Sequence, residues 1–369
     1  MNFFNSLKDT ILALEFTNFC NCSCIMCTQS MMKEPKGFMN RNTFEKIIKD
    51  IVEEDLCFDK LTPFGLGEST LHPEFFEYMS EIFSMNKSRK YFRSIDLHTN
   101  AINLSDELID LFIKHSDQLN TISFSIDAIT EDTYLNIRNN RNFNQMIQNI
   151  RKFFIKRGNK RVPRANLQFI VMEENKHEAK AFKDYWSSFL SEHKIDFQIN
   201  YDWNPPMVKD TIFFKRLNPI KHEEINKSES LHYNTMVDLG LIKTEKNNEI
   251  KEERAVKSNE YRGEPKRRYP CSGPFKYMML NYSGELTVCC IDTLRELSLG
   301  NINDSSIINL WNSPLNHSYR LDHIKGDLSR LPRCINCNNL DSPDISIDEL
   351  ERYLKHFGHK DHLKCLEEL

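Results

Sequence analysis

No run of this sequence stays apolar for the roughly 20 residues that a bilayer-crossing helix needs, which excludes a helical membrane span. The opening "MNFFNSLKDTILALEF" carries Lys8 and Asp9 inside its apolar part and lacks a basic leader with a small-residue cleavage site. A secretory signal is therefore not expected, and a cytoplasmic location is. An excess of either charge is missing too: 49 Lys and Arg stand against 53 Asp and Glu, a formal net charge of -4. That balance leaves no electrostatic footprint for nucleic acid. No internal repeat of fixed period occurs. What the chain does have is 369 residues at 40% hydrophobic content, enough for a large core in one big domain or two. It also has eleven cysteines, most of them in two clusters, and in a reducing cytosol this points to metal or cluster ligation rather than disulfides. Cys22, Cys57, Cys290 and Cys365 are left over.

From residue 11 onward, short β-branched or apolar runs alternate with helical patterns. Strands are expected at 11–17, 60–66, 93–99, 120–126, 166–172 and 195–201. A helix over 43–55 carries Phe44, Ile47, Ile48 and Ile51 at helical spacing behind Asn42, with Glu45 three residues on as a variant capping box. Asn175 and Glu178 repeat that signal before "AKAFKDYWSSFL". Alternating units of this kind predict an α/β fold with a parallel sheet and right-handed crossovers, and six of them predict a barrel or partial barrel over residues 1–202. Chemistry in such a sheet sits at the carboxyl ends of the strands, and the first cysteine cluster begins where the first strand ends. Residues 203–268 are charged and poor in large apolar side chains, and read as an insertion or linker. Short strands and turns surround the second cysteine set over 269–340. A helical tail follows over 341–369, its helix near 347–357 behind the capping box of Ser346 and Glu349.

The stretch "FTNFCNCSCIMCTQS" holds Cys20, Cys24 and Cys27 as C-x3-C-x2-C, with Cys22 interrupting the first gap. Three thiolates on one loop can hold three irons of a [4Fe-4S] cluster and leave the fourth without a protein ligand. A zinc loop is the other reading of this spacing. The pattern resembles the radical S-adenosylmethionine (SAM) superfamily, in which the open iron chelates the amino and carboxylate groups of SAM and the cluster's electron cleaves the sulfonium to a 5′-deoxyadenosyl radical. The expected fold is then a partial (β/α)6 TIM-like barrel of the radical SAM type with a small auxiliary cluster domain behind it.

Further segments carry the same resemblance in order. "FGLGEST", residues 64–70, is similar to the family's Gly-Gly-Glu-Pro segment; Gly67 and Glu68 match, with Glu68 implied at the SAM ammonium, while Leu66 and Ser69 depart from the pattern. "HTNA" looks like the Thr-Asn-Gly end of the third strand, which brings in Asn100, with Ala101 in the glycine place. "SFSIDAITEDTYLNIR" resembles the fourth strand and its helix: Ser125 and Asp127 are implied at the SAM ribose or methionine end, and Arg138 at its carboxylate. Met26 occupies the apolar position that packs near adenine. Cys22 is expected to be a bystander.

Cys271, Cys289, Cys334 and Cys337 form the second constellation, in "YPCSGPFKYMMLNYSGELTVCC" and "LPRCINCNN". It looks like a SPASM or shorter twitch domain, with Gly284 five residues before Cys289 and Trp311 in the expected helix. One auxiliary [4Fe-4S] cluster with four protein ligands is implied; a four-cysteine zinc ribbon is the alternative. His356, His359 and His362 read as a solvated helix end.

No domain for peptide recognition, cobalamin or a second N-terminal cluster is expected ahead of the first strand. A single four-ligand auxiliary cluster is similar to that of dehydrogenases that oxidise an aminocyclitol hydroxyl. The resemblance thus implies oxidation of a small polar substrate (a sugar, cyclitol or related metabolite), with a flavodoxin- or ferredoxin-type electron donor. Epimerisation, peptide or protein modification, and a cluster protein without turnover are the alternatives. His98 and His72 are candidates to face the cavity. No side chain is assigned as catalytic.

Overall fold

The computed structural model describes residues 7–202, 208–243, 270–335, 337 and 345–366. Ten strands form one sheet in the order β10-β9-β8-β1-β2-β3-β4-β5-β7-β6. They are β1 (Ile11–Leu14), β2 (Phe58–Thr62), β3 (Phe92–Thr99), β4 (Leu119–Ser125), β5 (Arg164–Val171), β6 (Phe197–Asn200), β7 (Asp210–Arg216), β8 (Tyr277–Leu280), β9 (Glu285–Thr287) and β10 (Ser298–Asn301). From β1 to β6 every neighbouring pair is parallel, and the curved, unclosed sheet is a partial TIM-like barrel. The six expected strands are all present, within four residues at each end.

The helices that cover the sheet are α1 (Arg41–Glu53), α2 (Phe75–Ser88), α3 (Asp106–Lys114), α4 (Glu131–Arg138), α5 (Phe143–Arg157), α6 (Ala179–Glu192) and α7 (Ile225–Asp238), while α8 (Pro314–Lys325) and α9 (Ile347–His356) share a separate small apolar cluster. Alternate strand residues such as Leu12, Leu14, Ile95, Leu97, Ile122, Phe124, Leu167 and Phe169 are buried against the sheet-covering helices in one continuous core. The other alternation lines the concave interior of the barrel.

Two helix starts differ from expectation. The cap of α1 is Asn40, whose side chain accepts from the Thr43 amide at 2.9 Å, so the helix begins two residues before Asn42 would allow. Asn175 does not cap α6 either. Its side chain accepts from Met172 N at 2.8 Å and donates to the carbonyls of Asp127 and Ile170, which fastens the end of β5 to the end of β4. The box of Ser346 and Glu349 forms as expected at α9.

The stretch 203–268 is not only an insertion, and this corrects the sequence reading. Within it β7 enters the sheet between β5 and β6, and α7 packs beside it. The reason is visible in "DTIFFKR": Ile212 and Phe214 are fully buried on the core face, a short apolar alternation inside charged flanks. Asp210 starts the strand by taking a bidentate bond from the buried Arg157 of α5, at 2.7 and 2.5 Å. Residues 244–269 lie outside the described residues. The auxiliary segment also shares the sheet. β8 pairs in parallel with β1, Ile11 opposite Tyr277 through Leu14 opposite Leu280, and carries β9 and β10 as an antiparallel extension.

Candidate active site

The cysteine loop leaves β1 and is fastened on two sides. On the first side it meets the end of β2. Glu68 N donates to Phe19 O at 2.8 Å, and Gln29 Nε2 donates to Asn18 O and Leu66 O, both at 2.9 Å. Gly67 is required here because a Cβ would sit 2.2 Å from Thr17 O and 2.6 Å from Phe19 O, inside backbone that cannot yield. On the second side the loop meets the C-terminal end of α4 and the residues just past it: Ser23 N and Ile25 N donate to the carbonyls of Arg138 and Ile137, and Asn140 Nδ2 donates to Asn21 O at 2.6 Å. Helix-end carbonyls without an intrahelical partner are thereby satisfied by the loop.

Cys20, Cys24 and Cys27 are partly exposed on this loop, whereas Cys22 is buried. Donors approach the sulfurs: Gln29 N lies 3.4 Å from Cys27 Sγ, and Arg138 Nη1 lies 3.4 Å from Cys24 Sγ. Hydrogen bonding from Cys22, with help from Arg138, pulls the Cys24 thiol down to about 6, and Cys22 also lowers Cys20. Burial raises Cys27. Two of the three thiols are thus biased toward the thiolate, the form that binds metal.

Glu68 is buried and its carboxylate is the hub of the strand ends. Oε1 accepts from Thr70 Oγ1 at 2.7 Å and Thr99 Oγ1 at 2.8 Å, and Oε2 from Asn100 N at 2.7 Å. Burial raises its pKa above the ordinary carboxylate value. Asn100 in turn donates to Asn21 Oδ1 at 2.6 Å, so the end of β3 also grips the cysteine loop. Ala101, in the glycine place, does adopt a left-handed φ of 59°.

The structure brings Asp127 and Arg138 together as a buried ion pair. Asp127 Oδ1 accepts from Ile170 N at 2.7 Å and Oδ2 takes the Arg138 guanidinium, so both oxygens are engaged. Burial raises the Asp127 pKa and Arg138 opposes that rise. Arg138 consequently spans Asp127 and Cys24, and its Nε has no hydrogen-bond partner among the described residues. Ser125 stands at the last position of β4 and Met26 is half-buried on the loop.

The concave face is polar across four strands. His98, Ser123, Asn166 and Thr211 are in register on β3, β4, β5 and β7, and Asn166 Nδ2 donates to Ser123 Oγ at 3.3 Å. One layer nearer the strand ends, Ser125 lies beside Gln168. Below His98, Lys60 and Asp96 pair at 2.7 Å. His98 packs on Phe64 with ring centres 5.0 Å apart, and burial holds its imidazole down at about 4, hence neutral. His72, the other candidate, is packed: Nε2 bonds Met39 O at 2.8 Å and Nδ1 accepts from Glu74 N at 3.1 Å.

The second cysteine set surrounds a cavity of about 300 Å³ rather than a point. Cys271, Cys289, Cys290, Cys334 and Cys337 all line it, with His323 alongside. Cys290 lines the cavity beside Cys289, the neighbour it could replace on sequence, although the register from Gly284 favours Cys289. Gly273 N lies 3.4 Å from Cys271 Sγ, and burial raises the Cys289 thiol. Gly284 makes the β8–β9 turn at φ 87°. The segment after Cys290 reaches back to the first site: Thr293 Oγ1 donates to Thr28 Oγ1 at 3.0 Å, one residue past Cys27.

Sequence reading missed Glu15 and Arg295. Glu15 follows β1, is fully buried, accepts from Leu66 N at 2.6 Å, and meets Arg295 of the auxiliary segment at 3.2 Å; Arg295 also meets Glu34 at 3.0 Å. The one available signal was an acid at the end of an apolar strand, "LALE".

Residues 14–184 match the family model of the radical SAM superfamily, and residues 271–338 match that of the SPASM iron-sulfur cluster-binding domain. The chain belongs to the radical SAM superfamily. Proteins of this superfamily bind a [4Fe-4S] cluster and SAM, and SPASM domains bind auxiliary iron-sulfur clusters. A Pyrococcus furiosus protein described as a tungsten-containing aldehyde ferredoxin oxidoreductase cofactor-modifying protein is 31% identical over 119 residues, 32% of this chain and 31% of that one. The chain spans less than half the length of the curated relatives it matches. The fold is similar to that of anSMEcpe with bound AdoMet (14% identity, TM-score 0.55, covering 97% of this chain and all of that one). It is also similar to Streptococcus suis SuiB bound to S-adenosylmethionine (13% identity, TM-score 0.55, 84% of this chain and 67% of that one). Among the described residues of this radical SAM chain no helix is long and apolar enough to cross a membrane.

Proposed function

We propose that this radical SAM enzyme oxidises a small polar molecule, a sugar, cyclitol or related metabolite, inside its partial barrel. The observation that carries the reading is the in-register polar lining of the concave face, from His98 through Ser123 and Asn166 to Thr211. A hydroxylated substrate would find hydrogen-bonding partners there that an apolar one would leave unpaired.

Cys20, Cys24 and Cys27 would hold the SAM-binding cluster. The donor set suits it: three thiols on one loop, with N–H groups 3.4 Å from two of the sulfurs. When bound, cluster and SAM together supply a 5′-deoxyadenosyl radical that removes hydrogen from the substrate. Met26, Gly67, Glu68, Asn100, Ser125, Asp127 and Arg138 would form the SAM site, with Glu68 and the Asp127–Arg138 pair acting by holding strand ends and loop in place. Cys271, Cys289, Cys334 and Cys337 would hold one auxiliary [4Fe-4S] cluster in the cavity they line, available as an electron acceptor. A flavodoxin or ferredoxin would deliver the starting electron, in the cytoplasm. Boundaries at about residues 202, 268 and 340 would separate barrel, insertion, auxiliary domain and tail, with β7 counted to the barrel.

Peptide modification is the second reading. It is favoured by the peptide ligands named for two proteins of similar fold, SuiB with precursor peptide SuiA and anSMEcpe with the Cp18Cys peptide. Anaerobic incubation with SAM, reductant and a panel of sugars, cyclitols and peptides, read by mass spectrometry, separates the two. Formation of 5′-deoxyadenosine together with a polyol product lighter by two hydrogens is expected. A mass change in a peptide alone, or a polyol product of unchanged mass, overturns the proposal.

A further inference from the structure

The cysteine loop is fastened at its base as well as at its flanks. It departs at the end of β1 and comes back beside its own start, with Thr17 bridging Phe38 and Thr17 Oγ1 donating to Gly37 O at 2.7 Å. Its returning limb is then gripped by the auxiliary segment. Tyr282 of the β8–β9 turn donates its hydroxyl to Pro35 O at 2.7 Å, and Asn281 Nδ2 donates to Glu34 Oε2 at 3.1 Å. Arg295 completes the grip, because a single guanidinium nitrogen, Nη2, meets Glu15 at 3.2 Å and Glu34 at 3.0 Å. Glu15 precedes the loop and Glu34 lies on its return. One cation thus joins entry and exit on either side of Cys20, Cys24 and Cys27.

The Arg295 side chain is 7% exposed and Glu15 is sealed completely, so removing the cation leaves a buried acid without its counter-charge. The Arg295 backbone has a φ of 58°, a left-handed conformation that residues other than glycine seldom adopt. Two positions earlier, Thr293 reaches Thr28 next to Cys27, so the same stretch touches the loop at a second point. We infer that Arg295 is a positioning residue for the SAM site: by joining Glu15 to Glu34 it fixes the base of the cysteine loop, and SAM binding in the barrel depends on this side chain of the auxiliary segment. A loop fixed at its base has less conformational entropy to lose when cluster and SAM bind. The role presupposes Cys20, Cys24 and Cys27 as ligands of the SAM-binding cluster, as proposed above. It is separate from electron acceptance by the auxiliary cluster, since the tie consists of side chains and not of iron.

The test uses the full chain, reconstituted anaerobically, as wild type, Arg295→Met, Arg295→Lys and Glu34→Gln. Iron content and EPR follow both clusters, the signal that changes on adding SAM marking the first, and equilibrium dialysis of the oxidised protein gives the SAM affinity. Arg295→Met and Glu34→Gln should keep the auxiliary signal but bind SAM about fivefold or more weakly, within the range of energetic coupling between sites. Arg295→Lys, which keeps a cation between the two acids, should recover part of that loss. An unchanged SAM affinity in either Arg295→Met or Glu34→Gln, as a folded protein, overturns the inference, and Glu34→Gln alone decides if Arg295→Met does not fold. Auxiliary iron lost in step with SAM affinity also overturns it, because Arg295 is then a structural member of the auxiliary domain. So does an Arg295→Lys protein as weak as Arg295→Met. Retention of the SAM-sensitive signal in Cys24→Ala would instead defeat the ligand assignment.

Discussion

Replacing Glu15 by Gln should remove one downward contribution to the slope of folding stability against pH between about 5 and 7. Burial pushes the Glu15 carboxyl up from its ordinary 4.5 to about 7, although Arg295 and the Leu66 N–H pull the other way. One pH unit of such a difference is worth about 1.4 kcal/mol, so ionising Glu15 in the folded chain costs about 3 kcal/mol relative to the unfolded one. The sign follows from proton counting. Between 4.5 and 7 the folded chain keeps a proton that the unfolded chain has released, so the stabilisation is complete below 4.5 and is lost as the pH rises through 7. The Glu15 contribution should fall by about 1.4 kcal/mol per pH unit at about pH 5 to 6 and level off above about pH 8. His98, held down at about 4, contributes a rise over about pH 4 to 6.5, so the difference between wild type and Glu15→Gln is the quantity to read. Glutamine keeps the shape and an acceptor for Leu66 N, and Arg295 retains Glu34. Urea unfolding of the cluster-free protein under anaerobic conditions, repeated across about pH 5 to 8, measures both curves. Should the difference between Glu15→Gln and wild type stay flat across about pH 5 to 7, Glu15 does not titrate there and the argument from burial fails.

Cys24→Ala should lose the SAM-sensitive cluster signal and SAM cleavage while keeping the auxiliary iron, and Cys289→Ala should do the reverse; iron analysis and EPR of both decide, and normal SAM cleavage in Cys24→Ala contradicts the assignment. Glu68→Gln puts an N–H donor against the donors of Asn100 and Thr99, which should cost about 1 to 3 kcal/mol and lower both the melting temperature and the SAM affinity. A SAM affinity that falls with the melting temperature unmoved contradicts the hub role. Gly67→Ala forces a Cβ into the backbone carbonyls of Thr17 and Phe19, and should destabilise by about 1 to 3 kcal/mol and impair cluster reconstitution, checked by unfolding and iron content. Asp210→Ala leaves Arg157 buried and unpaired, at a cost of about 3 to 5 kcal/mol in urea unfolding; a loss below about 1 kcal/mol would mean the pair is dispensable.

Local pattern alone determined a good deal about this protein. The alternation of β1 to β6 with helices, the capping box at Ser346 and Glu349, and the spacing of Cys20, Cys24 and Cys27 are all relations between residues a few positions apart, and those are the relations that periodicity and loop chemistry report. Tertiary structure decided the rest. Whether "TIFFK" is a strand depended on an opening between β5 and β6 and on Arg157 meeting Asp210, 53 residues away. That β8 would continue the barrel sheet beside β1, and that Glu15 would find Arg295 at a separation of 280 residues, are pairings between distant segments with no local signature. The inward turn of Asp127 onto Arg138 and the approach of Asn100 to the buried Cys22 belong to the same class. A side chain's partner is chosen by which elements pack around it, and only the folded chain contains that information.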